Sequence, residues 1–255
     1  MSQLCAAVST EWLKIRRSKA FPISIAAMCV LPLVCGLFLV ILLHPGMTGG
    51  ILAQKAQVFG AADWASYLAM LNEMMSVAGV LVFGFITAWT FGREFSDRTA
   101  KDLFALPTPR AIIVTAKFVI LAIWCLLLAL VAAVVAIALG LIIGPSALTA
   151  TTLLNGVAGF AISALLSALL ITPVAFFASF GRGYLLPLGF IIVTILLGQL
   201  GETLGIGAFL PWDLPAILAG IAHDVVPLIG YLLFAGVVAA GFIATQLWWR
   251  YADQK

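Results

Sequence analysis

The 255-residue sequence is short of charge. Only 9% of its residues are Asp, Glu, Lys or Arg, against 64% of apolar type. A soluble domain carries about 25% charged residues, so a surface facing water on all sides is excluded, and lipid is the solvent that this composition fits. Recognisable catalytic patterns are missing too. No G-x-x-x-x-G-K-[ST] run occurs, which removes that route to cradling ATP phosphates within this chain, and neither H-E-x-x-H nor G-x-S-x-G is present. The two histidines, His44 and His223, are far apart in sequence and fall in predicted outer loops, where solvated side chains are expected rather than a metal pair. Cys5, Cys29, Cys35 and Cys125 form no C-x-x-C, and three of them lie in apolar runs; they read as small buried hydrophobes with no metal or disulfide role. Ionisable residues are rare inside the apolar runs, whereas an ion-coupled transporter or channel places them there despite their cost. No internal repeat suggests inverted symmetry, and no stacked set of aromatics marks a sugar channel.

What remains is a series of long apolar runs. A helical span needs roughly 20 such residues, and the chain holds six: about 20–43, 72–91, 111–143, 151–180, 184–198 and 227–249. The expected fold class is therefore all-α and polytopic, a single transmembrane domain over 1–255. Pro32 is expected to kink the first span. The third run is longer than a membrane needs, so its first turns are expected to project. Residues 1–19 precede the first span as an amphipathic helix, with Leu4, Val8, Trp12 and Ile15 on one stripe and Lys14, Arg16 and Arg17 off it. They do not resemble a cleavable signal, so the first span is expected to be retained. A Gly- and Pro-rich stretch, 199–226, is expected to form an outer re-entrant segment, since broken helices at membrane depth need protein cover.

The charges orient this array. With the N-terminus inside, twelve of the thirteen basic residues fall on the cytoplasmic side and only Lys55 outside. The outer segments are acidic: Asp63, Glu73, Glu202, Asp213 and Asp224. The positive-inside rule then predicts both termini in the cytoplasm, which agrees with an even number of spans. Trp89, Trp248 and Trp249 fall at predicted cytoplasmic ends and Trp64 and Trp212 at outer ones, as interfacial belts require; Trp124 is expected a turn or two deeper.

Residues 92–110 stand out. They carry seven charges between two spans, with Glu94/Arg98, Asp97/Lys101 and Arg98/Asp102 at i,i+4. Such pairs stabilise a helix by roughly 0.2–0.5 kcal/mol each, and Pro107 and Pro109 end it. Phe95, Thr99, Leu103 and Leu106 share one side. A short helix over 93–106 is expected, either resting on lipid or docking a cytosolic partner. Within the spans the polar groups are hydroxyls and amides. Asn155, Ser163, Ser167 and Thr172 are candidates for a substrate path, with helix packing through small residues as the alternative.

The run from Glu94 to Arg110, followed by Ala116-Lys117, resembles the E-x-x-x-x-T-x-K-x-L-x-x-x-P-x-x-R…K segment of type-2 ABC-transporter permeases. Glu94, Thr99, Lys101, Leu103, Pro107, Arg110 and Lys117 stand at its positions. The start, Glu11-Trp12-Leu13-Lys14-Ile15-Arg16-Arg17, resembles the family's E-x-x-K-x-x-R elbow. Arg182-Gly183-Tyr184-Leu185-Leu186-Pro187 and Pro211-Trp212-Asp213-Leu214-Pro215 resemble elements of the small permeases of bacitracin-resistance and lantibiotic-immunity transporters. The resemblance implies a permease subunit, not an enzyme, of an exporter in the bacterial cytoplasmic membrane. It implies as partners two copies of a cytosolic ATPase, which would hold ATP and magnesium while this chain holds no cofactor, together with a second or related permease and membrane lipid, but no nucleic acid. It makes 93–106 the coupling helix, through Glu94, Phe95, Arg98, Thr99, Lys101, Leu103, Leu106 and Pro107. The elbow would be carried by Glu11, Trp12, Lys14 and Arg17. The apolar spans suit an amphipathic cargo: a peptide antibiotic, drug or lipid-linked compound. A stand-alone six-helix scaffold or sensor, or a secondary transporter, is the alternative expectation.

Overall fold

The computed structural model describes residues 3–44, 60–99, 103, 108–220 and 225–251. Among these the chain is helical, and its one β-type contact is an isolated bridge between Asp63 and Ser146. The helices are α1 (Gln3–Arg16), α2 (Ala20–Leu43), α3 (Trp64–Ser96), α4 (Arg110–Ile143), α5 (Ala150–Leu169), α6 (Thr172–Phe180), α7 (Leu185–Leu204), α8 (Leu214–Leu218) and α9 (Leu228–Tyr251), with a 3₁₀ turn at Gly207–Phe209. Six are long and apolar enough to cross a membrane when α5 and α6 are taken as one, Ala150–Phe180. The protein is a multi-pass membrane protein.

The central element is α3, which packs against α2, α4, α5, α6, α7 and α8. Its 33 residues give a rod of about 50 Å, longer than the roughly 30 Å hydrocarbon core. It starts eight residues before the predicted span and runs past its end. Asp63 caps it by accepting a hydrogen bond from the Ser66 amide at 2.8 Å. The entry is fixed to the α4–α5 turn by two backbone bonds, Trp64 N to Ser146 O at 3.1 Å and Ser146 N to Ala62 O at 3.3 Å. Trp64 is consequently a core residue and not the outer belt residue expected. It is 2% exposed and meets Tyr67 edge-on at 6.0 Å, while the Tyr67 hydroxyl donates to Ala136 O at 2.8 Å. Gly140 makes this packing possible: a Cβ there would lie 2.5 Å from the indole.

The helix α2 has the expected bounds and continues through buried Pro32. Two further boundaries differ from expectation. The fourth apolar run is broken between Leu169 and Thr172. Pro173 opens α6, where its missing N–H is tolerated; at this break the Thr172 hydroxyl donates to Val238 O of α9 at 2.9 Å, and Gly241 of α9 lies against the Pro173 backbone. The fifth span continues to Leu204 and ends at Gly205, whose φ of +70° suits glycine. Residues 199–204, assigned in advance to the outer segment, thus belong to α7, and the 3₁₀ turn and α8 follow. Trp249, expected at an interface, is wholly buried, its indole N–H donating to Ser179 Oγ at 2.9 Å.

Gly140→Val should force the Trp64 ring out of its seat. Overpacking of this kind costs about 1–3 kcal/mol, so the detergent-purified variant is expected to unfold at lower temperature than the parent, with red-shifted tryptophan emission; an unchanged melting profile would contradict the packing described.

Candidate functional site

At the end of the bundle where α3 runs out, four charged side chains from three helices meet. Lys117 projects from α4, Glu94 from the last turns of α3, and Glu11 and Lys14 from successive turns of α1. The Lys117 ammonium, with no solvent exposure, donates to Glu11 Oε2 at 2.9 Å, Glu94 Oε1 at 2.8 Å and the Thr90 carbonyl at 3.3 Å. Lys14 Nζ lies 2.8 Å from Glu11 Oε1 and 2.9 Å from Glu94 Oε1. The second Glu94 oxygen accepts from the Thr99 hydroxyl at 2.6 Å. Two positive and two negative groups therefore close a neutral ring, with the face of Phe91 near Lys117 at 5.9 Å. Burial by itself would lower the Lys14 pKa, but the Glu11 and Glu94 carboxylates more than offset it and hold the ammonium above its ordinary range.

The local sequence explains the positions. Glu11 and Lys14 are three apart, hence on one face of α1, beside the buried Ile15 and the half-buried Val8 and Trp12. That apolar stripe packs α1 onto α4, its main contact, and carries the charged pair to Lys117. Glu94 is drawn inward for the same reason. The predicted Glu94/Arg98 pair is replaced by Glu94 with Lys14 and Lys117, and the local pair present in this turn is Arg93 with Asp97, at 3.1 Å.

The remaining predicted coupling residues divide. Residues 93–96 are the end of α3 and do not begin a separate helix, and the chain turns at Asp97–Thr99 with Arg98 exposed at φ +59°. Phe95 points into the protein, edge-on to Trp249 at 6.0 Å, and Leu103 packs on the core. Lys101, Leu106 and Pro107 lie outside the described residues. In the elbow, Arg17 is exposed. The four hydroxyl and amide candidates are not brought together. Asn155 is exposed, Ser163 and Ser167 are buried against α3, and Thr172 bonds to α9.

A second polar site lies at the opposite end. A cavity of about 90 Å³ is lined by Glu73, Ser76, Thr194, Gln199, Glu202 and Asp213, among other residues. The Asp213 carboxylate is seated in a notch cut by three glycines. A Cβ at Gly198 would lie 2.5 Å from Oδ1, and at Gly201 or Gly207 2.8 and 2.9 Å from Oδ2. Burial, and then the charge of Glu202, push Asp213 up to about 7. Sequence reading found these acids but not their convergence, since it left 199–204 outside the helix that presents Glu202. Lys117 did carry a signal: a lone cation inside an apolar run requires a partner.

A polytopic helical bundle with charges gathered at its ends serves many membrane functions, and the comparisons specify which kind this is. The family model for the ABC-2 family transporter protein matches residues 7–198, and the chain belongs to that family. It is similar to the bacitracin transport permease protein BCRB of Bacillus licheniformis, at 27% identity over 177 residues, covering 69% of this chain and 85% of that protein. The chain is thus a transporter permease, of a family that works in general with ABC ATPases.

Two outcomes are expected. Removing one member of a buried ion pair costs about 3–5 kcal/mol, so Lys117→Met should sharply lower the yield and thermal midpoint of folded protein, and adding Glu94→Gln should recover part of the loss; no recovery in the double variant would argue against direct pairing. Asp213 binds its proton more tightly folded than unfolded, so stability should fall as pH rises from about 4 to about 7 and level above that. Asp213→Asn should flatten this trend in melting experiments.

Proposed function

We propose that this chain is the membrane-spanning subunit of an ATP-driven exporter, moved by a separate cytosolic ATPase that meets it at the α3–α4 turn. The neutral ring of Glu11, Lys14, Glu94 and Lys117 is the observation that supports this reading most directly. It joins α1, the end of α3 and α4 at one buried point, and the exposed turn at Asp97–Thr99 continues from Glu94. A push on that turn reaches three helices through charge-assisted bonds, which are stronger than neutral ones. In this role α1 is the elbow, 93–106 the coupling segment, and the ring the joint between them.

The working assembly is two permeases, identical or related, with two ATPase subunits that hold ATP and magnesium. It resides in a bacterial cytoplasmic membrane, both termini of the permease inside, as its basic residues favour. The cargo is amphipathic: a peptide antibiotic, a drug or a lipid-linked compound. The bacitracin in the relative's name supports the first of these.

The test is affinity purification of the tagged chain from its own cells in mild detergent. An ABC ATPase subunit should co-elute; a monodisperse permease that carries none overturns the reading. Arg98→Glu, at an exposed position, should leave membrane insertion and melting temperature unchanged while weakening ATPase co-elution at least tenfold. Phe95 is a poor probe because its ring packs on Trp249.

A further inference from the structure

Next to the ion ring, but on the protein surface, lies an open pocket of about 550 Å³ whose polar lining is Ser9, Thr10, Lys14, Arg17, Ser18 and Arg93. Three of these six groups are cations; Lys14 already meets Glu11 and Glu94, and Arg93 Nε meets Asp97 at 3.1 Å, so the donors turned to a ligand are the Arg17 guanidinium, the terminal nitrogens of Arg93 and one N–H of Lys14. Arg17 is exposed, and Arg93 and Lys14 keep about a third of their side-chain surface open. The hydroxyl protons of Ser9, Thr10 and Ser18 rest on carbonyls of α1, and such hydroxyls rotate to suit a ligand.

A second cavity, of about 380 Å³, opens beside the Arg93–Trp89 contact. It is apolar, lined by Phe85, Ala88, Trp89, Tyr184 and Leu188 between α3 and the start of α7. The two share a stripe of α3. Phe85, Trp89 and Arg93 are spaced by four and so stand on one face, and the Arg93 guanidinium lies over the Trp89 ring at 5.1 Å. The Arg93 and Trp89 backbones are about 6 Å apart along the helix axis, and the guanidinium reaches back over the indole, on the side from which the slot opens. Cations thus stand at the mouth of an apolar slot, in the order in which a phospholipid presents phosphate and chain.

We propose that this composite site binds an anionic phospholipid, its phosphate held by Arg17, Arg93 and the spare N–H of Lys14 and its acyl chain laid along Phe85, Trp89 and Leu188. An acidic protein segment would use the cations but leave the slot empty. Guanidinium groups hold phosphate oxygens in fork geometry, and each Lys or Arg near the surface adds to the attraction for anionic lipid. The proposal does not depend on an ATPase partner.

Native mass spectrometry of the full chain, released from micelles holding equal phosphatidylglycerol and phosphatidylcholine, tests it. One phosphatidylglycerol per chain should be retained, preferred about tenfold or more over phosphatidylcholine. Arg17→Gln with Arg93→Gln should reduce the preference to below about threefold. Leu188→Trp, which fills the slot and leaves every cation in place, should reduce retention of both lipids. Equal retention of the two lipids by the parent, or an unchanged preference in the arginine variant, overturns the site. Displacement of the lipid by millimolar sn-glycerol 3-phosphate as readily as by fresh phosphatidylglycerol would mean that a free phosphate is the occupant, and overturns the lipid assignment.

Discussion

A fully buried ammonium fixes the arrangement around it. Lys117 sits at the packed junction of α1, α3 and α4 with no solvent exposure. An unpaired ion in such a place costs several kcal/mol even after relaxation. Two carboxylates from different helices meet it, and two negative groups about one positive group require a second cation, which Lys14 supplies. Neutrality thus dictates four residues, and their four anchor points dictate that α1 lies against α4 and not free on the membrane surface. The apolar stripe of α1 would be content in lipid or against protein; Glu11, buried against Lys117, decides between them.

The far end of the bundle is built on the opposite electrostatic principle. Glu73, Glu202 and Asp213 face one small cavity, and no cation is among the residues that line it. What holds Asp213 there is shape, since three glycines clear the space for its carboxylate. A cancelled charge cluster resists separation of its parts, because each part would be left as an exposed or unpaired ion. A set of like charges has the reverse tendency. One end of the molecule is therefore clamped by its electrostatics, and the other is held closed against them. Both are attached to the long helix α3, through Glu94 and Glu73.

The sequence made the membrane architecture legible because composition and apolar run length are local quantities. The first span, 20–43, was readable to the residue, since charged Lys19 precedes it and His44-Pro45-Gly46 follows it. The start of α3 was not, because Ser66 and Tyr67 dilute the run although Tyr67 is buried with its hydroxyl on Ala136 O. The break at Pro173 was obscured by the continuous hydrophobicity around it. At the candidate site, Glu94, Lys117, Glu11 and Lys14 were all visible as residues but not as one ring. Their assembly depends on how α1 registers against α4, a contact between positions more than a hundred residues apart. The i,i+4 rule paired Glu94 with Arg98, the nearest partner in sequence. In the fold a buried cation offers more than a solvated one, since exposed pairs contribute little. Tryptophan placement went astray for a related reason. Trp64 and Trp249 lie at helix ends, where belts are expected, but each is covered by a neighbouring element and finds its partner inside.

The centrality of α3 makes the two ends one mechanical problem. A helix is stiff along its axis because every turn is hydrogen-bonded to the next, and a packed interior deforms less readily than it shifts between discrete packings. Force applied to the turn after Ser96 therefore arrives at Glu73 as displacement of a rod more than it is lost as local bending. Close contacts made through small residues, such as Gly79 on Ser167 and Gly84 on Ile191, bring neighbouring helices near enough to be carried with it. In the proposed exporter this supplies what an ATPase-driven stroke needs: a clamp where the stroke enters, a rod to carry it, and an acidic cavity held closed by packing where it arrives. The same geometry accounts for the placement of the basic surface pocket. Arg93 is one residue from the clamp and one turn below Trp89, so a lipid bound there would touch the rod at the point where the stroke begins.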